Sequence, residues 1–380
     1  MSTENIHLKG ITWDHSRGFT SAVATAQRFH ELNPNIEITW EKRSLQAFAD
    51  EPINELAKRY DLLIIDHPWA GFAARTGVIL PLDKYLPEAF IKDQAENTVG
   101  RSHESYSYND HQWALAIDAA TPVAASRPDL LEEPPKNWDE LVELAKQGKV
   151  AIPGIPQDTL MSFYMVCCNL GEEVASTKDH FISEETGLKG LDLLRDLGQH
   201  IDRESYDFNP IKVYEAMTLG DKYAYSPFAY GYTNYSREGY ARKFLKFHDM
   251  VELNGQGLIS TLGGTGLAIS SECKHAEIAA KYVEFTADPL TQRTLFFDNG
   301  GQPGHRKAWT DTYTNFMTKD YFKDTLPALD RSFLRPRYHG HMFFQDNSGA
   351  PIREYMMNGG NPKTVLDKLN ELYIKSLDDE

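Results

Sequence analysis

The chain is 380 residues long, beyond the size at which one hydrophobic core keeps growing, so two domains are the default expectation. Its 55 carboxylates outweigh 39 lysines and arginines, for a formal charge of -16, which opposes attraction to nucleic acid or an anionic membrane and, more plainly, favours solubility. No apolar run is long enough to span a bilayer as a helix, and three cysteines, two of them adjacent at Cys167 and Cys168, fit neither a disulfide framework nor a zinc spacing and read as buried small hydrophobes.

The opening segment MSTENIHLKGITWDH has no basic region, apolar core or cleavage site of a secretory signal. Two expectations follow: a cytoplasmic protein if Met1 is the native start, a periplasmic or cell-surface one if a signal was trimmed. GITWDH reads as a buried strand that ends in Asp14-His15. GFTSAVATAQRFHELNP then sets Phe19, Ala22, Val23, Ala26, Phe29 and Leu32 on one helical face and stops at Pro34. NIEITWE alternates as a second strand. QAFADEPINELAKRY reads as a helix interrupted or started at Pro52, and DLLIID as a third strand ending in Asp66-His67. Strand, helix, strand, helix, strand is the pattern of a parallel α/β sheet, whose buried strands show continuous apolar runs.

Further along, GVILPLDKYLP and NDHQWALAI suggest short strands and turns. Asn137 with Glu140 forms a capping-box pattern before the helix WDELVELAKQG, which leads to a strand KVAIPG. Helices are expected at about 157–170, 184–200 and 209–219, and strands at YAYSP, GLISTL and TGLAIS. The last third reads as helical, in HAEIAAKYVEFTADPLTQRTLFF, APIREYMMNGG and NPKTVLDKLNELYIKSL, the last with Val365, Leu369, Leu372 and Leu377 as its apolar stripe. No internal repeat, phosphate loop, dinucleotide fingerprint, nucleophile elbow or HExxH zinc motif is present. No cofactor is therefore expected, although an active site assembled from residues distant in sequence stays open.

Six segments in order resemble the extracytoplasmic solute-binding proteins of ABC importers, in the carbohydrate-binding group related to maltose-binding protein. They are AQRFHELNPNIEITWE, YDLLIID with GVILPLDKYLP, YNDHQWALAIDAATPVAASRPDLL, PPKNWDELVELAKQ, TLGGTGLAISSECKHAEIAAKYVEFTADPLTQ and GGQPGHRKAW. The resemblance implies a two-lobe periplasmic-binding-protein-like α/β fold with a hinge and an interlobe cleft, a small-molecule solute such as a sugar or polyol, and importer membrane subunits as partners. The chain is read as a monomer with no nucleic-acid partner. Lobe one is expected from residues 1–112 and 265–312, lobe two from 113–264 and 313–380. The segment TWDHSRG departs from the resemblance in being richer in ionisable groups than a sugar site usually needs. Two other readings remain: an enzyme with a cleft-borne Asp/His site, and a cytoplasmic ligand sensor on the same fold.

Sugar recognition needs aromatic faces for C–H surfaces and charged or amide groups for hydroxyls. Trp13, Trp69, Trp113 and the tyrosines Tyr225, Tyr230, Tyr232 and Tyr235 offer such faces; each is equally at home in a core or under a loop. Asp14, His15, Arg17, Asp66, His67 and Asp118 offer polar partners. The two Asp-His pairs are candidate ligand residues because ligands of open α/β sheets bind beyond the strands' carboxyl ends; the alternatives are helix caps or a metal site. Gly264 belongs to GGTG, which reads as a tight hinge or turn that also approaches ligand, and Arg306 either binds solute or caps a helix C-terminus.

Overall fold

The computed structural model describes residues 5–377. In chain order its principal strands are β1 (Ile6–Trp13), β2 (Ile36–Arg43), β3 (Leu62–Ile65), β4 (Leu115–Ala120), β5 (Pro122–Ser126), β6 (Tyr225–Tyr230), β7 (Lys246–His248) and β8 (Gly263–Ile269). The helices used below are α1 (Ser16–Leu32), α2 (Trp138–Lys146), α3 (Pro156–Asn169), α4 (Glu184–Gly198), α5 (Ala276–Ala287), α6 (Tyr321–Asp330), α7 (His341–Asn358) and α8 (Pro362–Leu377). Contacts along the chain divide it into two units, one from the residues up to Ala120 with Gly263–Phe316, the other from Thr121–Leu262 with the residues from Met317 on.

The first unit is built on a five-stranded sheet in the order β2-β1-β3-β8-β4. β1 pairs in parallel with both β2 and β3, while β8 runs antiparallel between β3 and β4. The sheet is thus mixed, and β1, β3 and β4 share one direction. All four residues of β3 are buried, as its unbroken apolar run requires. The edge strand β2 buries Ile36, Ile38 and Trp40 and exposes the residues between them. These side chains pack with Phe29 of α1 and Tyr282 and Val283 of α5 in one core. The Tyr282 hydroxyl bonds Thr25 of α1 at 2.9 Å and accepts from the Trp40 indole at 3.2 Å, so these three buried polar groups satisfy one another.

The face of α1 differs from the sequence expectation. Ala22, Ala26 and Phe29 are buried, but Val23 and Leu32 are 40% and 53% exposed. One residue on a helix is a turn of about 100°, so the stripe through Ser21, Ala22, Thr25 and Ala26 carries Val23 toward solvent. Around Pro52 the expected helix is two short ones, Leu45–Asp50 and Ile53–Ala57. GVILPL and KVAIPG form no strand and contribute only single bridges, Ile79 to Ser270 and Val150 to Tyr225, while GLISTL contributes Gly257 to the two-residue strand Gln256–Gly257 and a bridge from Thr261 to Phe333. GGTG is not a turn either: it opens β8.

The second unit holds a three-stranded sheet in the order β6-β5-β7, antiparallel throughout. At the start of α2, Asn137 Oδ1 accepts from the Glu140 N–H at 3.0 Å and Glu140 accepts from the Lys136 N–H at 2.8 Å. α3 is buried on nearly every face, including Cys167 and Cys168, as expected of a helix apolar all round. It packs against α7, where a Cβ on Gly349 would meet the Pro156 carbonyl oxygen at 1.9 Å. α7 begins nine residues before the segment APIREYMMNGG and carries Pro351 inside it, and α6 likewise carries Pro327. In α8 the buried stripe runs through Leu366, Leu369, Leu372 and Tyr373, with Leu366 in the place expected of Val365.

Candidate functional site

The carboxyl edge of the first unit's sheet gathers three aspartates. β1 and β3 pair with Gly10 opposite Leu62 and Ile11 opposite Leu63. Carried past the strand ends, that register sets Asp14 level with Asp66 and His15 level with His67. Asp118 lies near the same end of β4, which runs the same way, opposite Thr265 of β8.

Each Asp-His pair is also tied to the helix that follows it. His15 is the N-cap of α1, its Nδ1 accepting from the Arg17 N–H at 3.0 Å. Burial, with help from the Arg17 charge and against Asp14, pushes the His15 imidazole down to about 3. It is neutral at ordinary pH and, with Nδ1 accepting, holds its proton on Nε2. Asp14 is 55% exposed and pairs with Lys42 at 2.7 Å. Asp66 caps the short helix His67–Trp69 by accepting from the His67 N–H at 2.9 Å. The His67 ring is wholly buried, edge-on to Tyr106 with ring centres 6.3 Å apart. Among the described residues no group of three or more His, Cys, Asp or Glu is arranged to hold a metal ion.

Arg17 projects from α1 onto Asp118, with Nε and Nη2 donating to the two carboxylate oxygens at 2.7 and 2.5 Å. Both residues are buried. Burial pushes the Asp118 carboxyl above its usual range while Arg17 and the Thr265 N–H pull it back. Gly264, one residue before Thr265, has φ +89, and a Cβ there would meet the Asp118 carbonyl oxygen at 2.4 Å. A side chain is therefore barred where β8 passes β4.

The aromatic candidates separate. Trp13 is core: it packs on Phe48 with ring centres 5.5 Å apart, under the Arg17 guanidinium. Trp69 is buried beside Phe72, and Trp113 is buried with its indole N–H on the Tyr108 carbonyl. In the second unit, Tyr225 and Tyr230 occupy opposite ends of β6, opposite Ser126 and Pro122 of β5. Only Tyr230 therefore lies at the end where the chain enters that unit; its hydroxyl bonds Thr261 at 3.1 Å. Tyr232 and Tyr235 are buried, the latter donating to Glu215. Arg306 opens a short helix and donates from Nε to the Thr98 carbonyl at 2.9 Å, just past the end of the helix Glu88–Glu96.

Sequence reasoning passed over Lys42, Thr265 and the Trp13 indole N–H. Lys42 follows from the β1–β2 register, which sets it opposite Thr12. Trp13 Nε1 and Thr265 Oγ1 are buried without a hydrogen-bond partner among the described residues, a rare condition in folded proteins. No residue pattern along the chain signals either.

The fold is shared with sugar-binding proteins of known structure. Maltose-bound MalE3 of T. maritima superposes with a TM-score of 0.82 at 15% identity, over 98% of this chain and 99% of that one. The solute-binding protein of Agrobacterium radiobacter K84 in complex with ribitol gives 0.79 at 17% identity, over 98% and 99%. That of Thermotoga lettingae TMO bound with α-D-tagatose gives 0.82 at 15% identity, over 98% and 100%. A maltotriose-binding protein of Pyrococcus abyssi is 27% identical over 122 residues, 32% of this chain; the match spans about a quarter (26%) of that relative's length. Residues 24–319 match the sequence model of bacterial extracellular solute-binding proteins. The chain belongs to that family. No helix among the described residues is long and apolar enough to cross a membrane.

Proposed function

We propose that the protein captures a sugar or polyol for an ABC importer, working outside the cytoplasm, and releases the ligand chemically unchanged to the importer's membrane subunits. The reading is supported by the parallel pairing of β1 and β3, whose register, carried past the strand ends, sets Asp14 beside Asp66 at the carboxyl edge of one sheet. Carboxylates there accept hydroxyl hydrogen bonds from a ligand. Thr265 Oγ1, buried opposite Asp118 without a hydrogen-bond partner among the described residues, suits completion by a hydroxyl or by water. The choice of sugar or polyol is supported by the maltose, ribitol and tagatose held by the similar structures.

The ligand acts, in this reading, by favouring a closed arrangement of the two units, through contacts that the open one lacks. The hinge would lie where the chain passes between units, after Ala120, Leu262 and Phe316. Calorimetry against maltose, maltotriose, ribitol and tagatose tests the reading, with small-angle scattering on any binding pair. Saturable heat, compaction on binding and recovery of intact ligand by mass spectrometry are expected. Chemical conversion of the ligand would make the protein an enzyme, and silence across the panel would remove the sugar or polyol.

A further inference from the structure

The second unit carries a pocket of about 520 Å³ whose charge runs against that of the whole molecule. In a chain of formal charge -16, its walls hold Arg237, Arg242, Lys243 and Lys319 against Asp129 and Glu238. Asp129 is already engaged: Arg127 bonds it at 2.7 Å and Lys243 at 3.1 Å. Those bonds, that of Arg127 foremost, hold its carboxyl well below the usual range. Arg242 and Lys319 have no ion-pair partner among the described residues, and the Lys319 ammonium rests instead over the Phe244 ring, 4.7 Å from its centre.

The backbone delivers Lys319 to this place at a cost. Lys319 and Asp320 have φ of 52 and 64, a left-handed pair that residues other than glycine, asparagine and aspartate seldom adopt. Lys246 of β7 pins the turn by donating to the Lys319 carbonyl at 2.8 Å and to Asp324 of α6 at 2.5 Å. A turn needed only to start α6 would favour glycine or asparagine at position 319. Strain of this kind, held by neighbouring bonds, is what functional sites store. The pinning residue Lys246 lies opposite Ser126, at the far end of β5 from Pro122, where the chain enters the unit. The pocket is thus remote from the strand end that carries Tyr230.

We propose that this pocket is an oxyanion site, in which Arg242 and Lys319 bind a phosphate-type group. A planar guanidinium matches two phosphate oxygens at once and an ammonium adds a mobile point charge. Phe244, 42% exposed, gives an apolar flank to whatever carries the phosphate. A soluble phosphate and a phospholipid headgroup share this chemistry.

The test uses the full chain and two variants, Arg242→Gln and Lys319→Asn, at low ionic strength, where exposed charges are least screened. The probes are inorganic phosphate by calorimetry and phosphatidylglycerol vesicles by co-sedimentation, with phosphatidylcholine vesicles as the neutral control. Saturable phosphate binding that weakens about tenfold or more in each variant is expected, the loss of one charge-assisted bond. Asparagine tolerates the left-handed turn, so Lys319→Asn should melt no lower than the parent, which separates lost binding from lost folding. Binding to phosphatidylglycerol vesicles alone, lost in both variants, would assign the oxyanion to a lipid headgroup within the same proposal. No binding of either probe, or binding that both substitutions leave intact, overturns it. Sugar affinity should be the same in all three proteins, so the outcome does not depend on the function proposed above.

Discussion

Arg17 and Asp118 form a two-bonded ion pair whose side chains are only 4% and 1% exposed. β3 and β8 lie between β1 and β4 in the sheet, so the pair ties the start of α1 to a strand three places away. Taking two charges out of water costs nearly what their attraction returns, but removing one partner leaves the other charge buried alone.

Asp118→Ala should therefore destabilise the protein by about 3–5 kcal/mol in urea unfolding. The double variant Arg17→Met, Asp118→Leu should recover most of that loss, since neither charge then remains. A single variant as stable as the parent would mean that the pair opens to water.

The His15 imidazole predicts an acid-labile first unit. Its folded value of about 3 lies below the ordinary 6.5, so the unfolded chain binds the proton more readily. The stability it contributes is complete above pH 6.5 and is lost as pH falls toward 3, at about 1.4 kcal/mol per pH unit. Asparagine caps helices well and does not titrate. His15→Asn should lose about 2 kcal/mol less than the parent between pH 7 and pH 5. His103 and His248, both lowered to about 4 by burial, act equally in the two proteins and cancel. Identical slopes would show that His15 is not held neutral by the fold.

Gly264→Ala tests the close passage of β8 beside β4. A methyl group would meet the Asp118 carbonyl oxygen at 2.4 Å on a residue with φ +89. Left-handed strain and a backbone clash together should cost about 2 kcal/mol or more, read as a lowered urea midpoint with unchanged slope. An alanine variant of parental stability would show that the strands separate there without penalty.

The strand ends that carry Asp14 and Asp66 were legible because LLIID is apolar without interruption and GITWDH ends an apolar run, signals that survive any topology. The Arg17–Asp118 pair was not, since the two residues are 101 apart in sequence and meet only through the placement of β8 between β3 and β4. Local rules misled at α7, where Pro351 reads as a helix boundary. Burial against α3 overrides that preference. Capping by an Asp-His pair was an open alternative, but that His15 and not Asp14 is the N-cap of α1 was hidden for a different reason: histidine is not among the preferred N-cap residues, and the bond from the Arg17 N–H depends on its ring being held by burial.

The Asp-His pairs carry the last prediction, because caps and ligand contacts can be told apart there by choice of substitution. Asp14 is exposed and its ion-pair partner, Lys42, is 46% exposed, so Asp14→Ala should cost less than about 1 kcal/mol of stability. Asp66 caps a helix, so Asp66→Ala should cost about 0.5–2 kcal/mol, whereas Asp66→Asn keeps an accepting oxygen for the His67 N–H. A hydrogen bond to a charged group is worth about 1.5–3 kcal/mol, so Asp14→Ala and Asp66→Asn should each weaken sugar affinity roughly ten- to hundredfold by calorimetry. In both variants the fold is expected to be intact, which makes the lost affinity a property of the carboxylate. If both bind as tightly as the parent, the aspartates serve only as an ion-pair partner and a helix cap, and the ligand must be held by other residues.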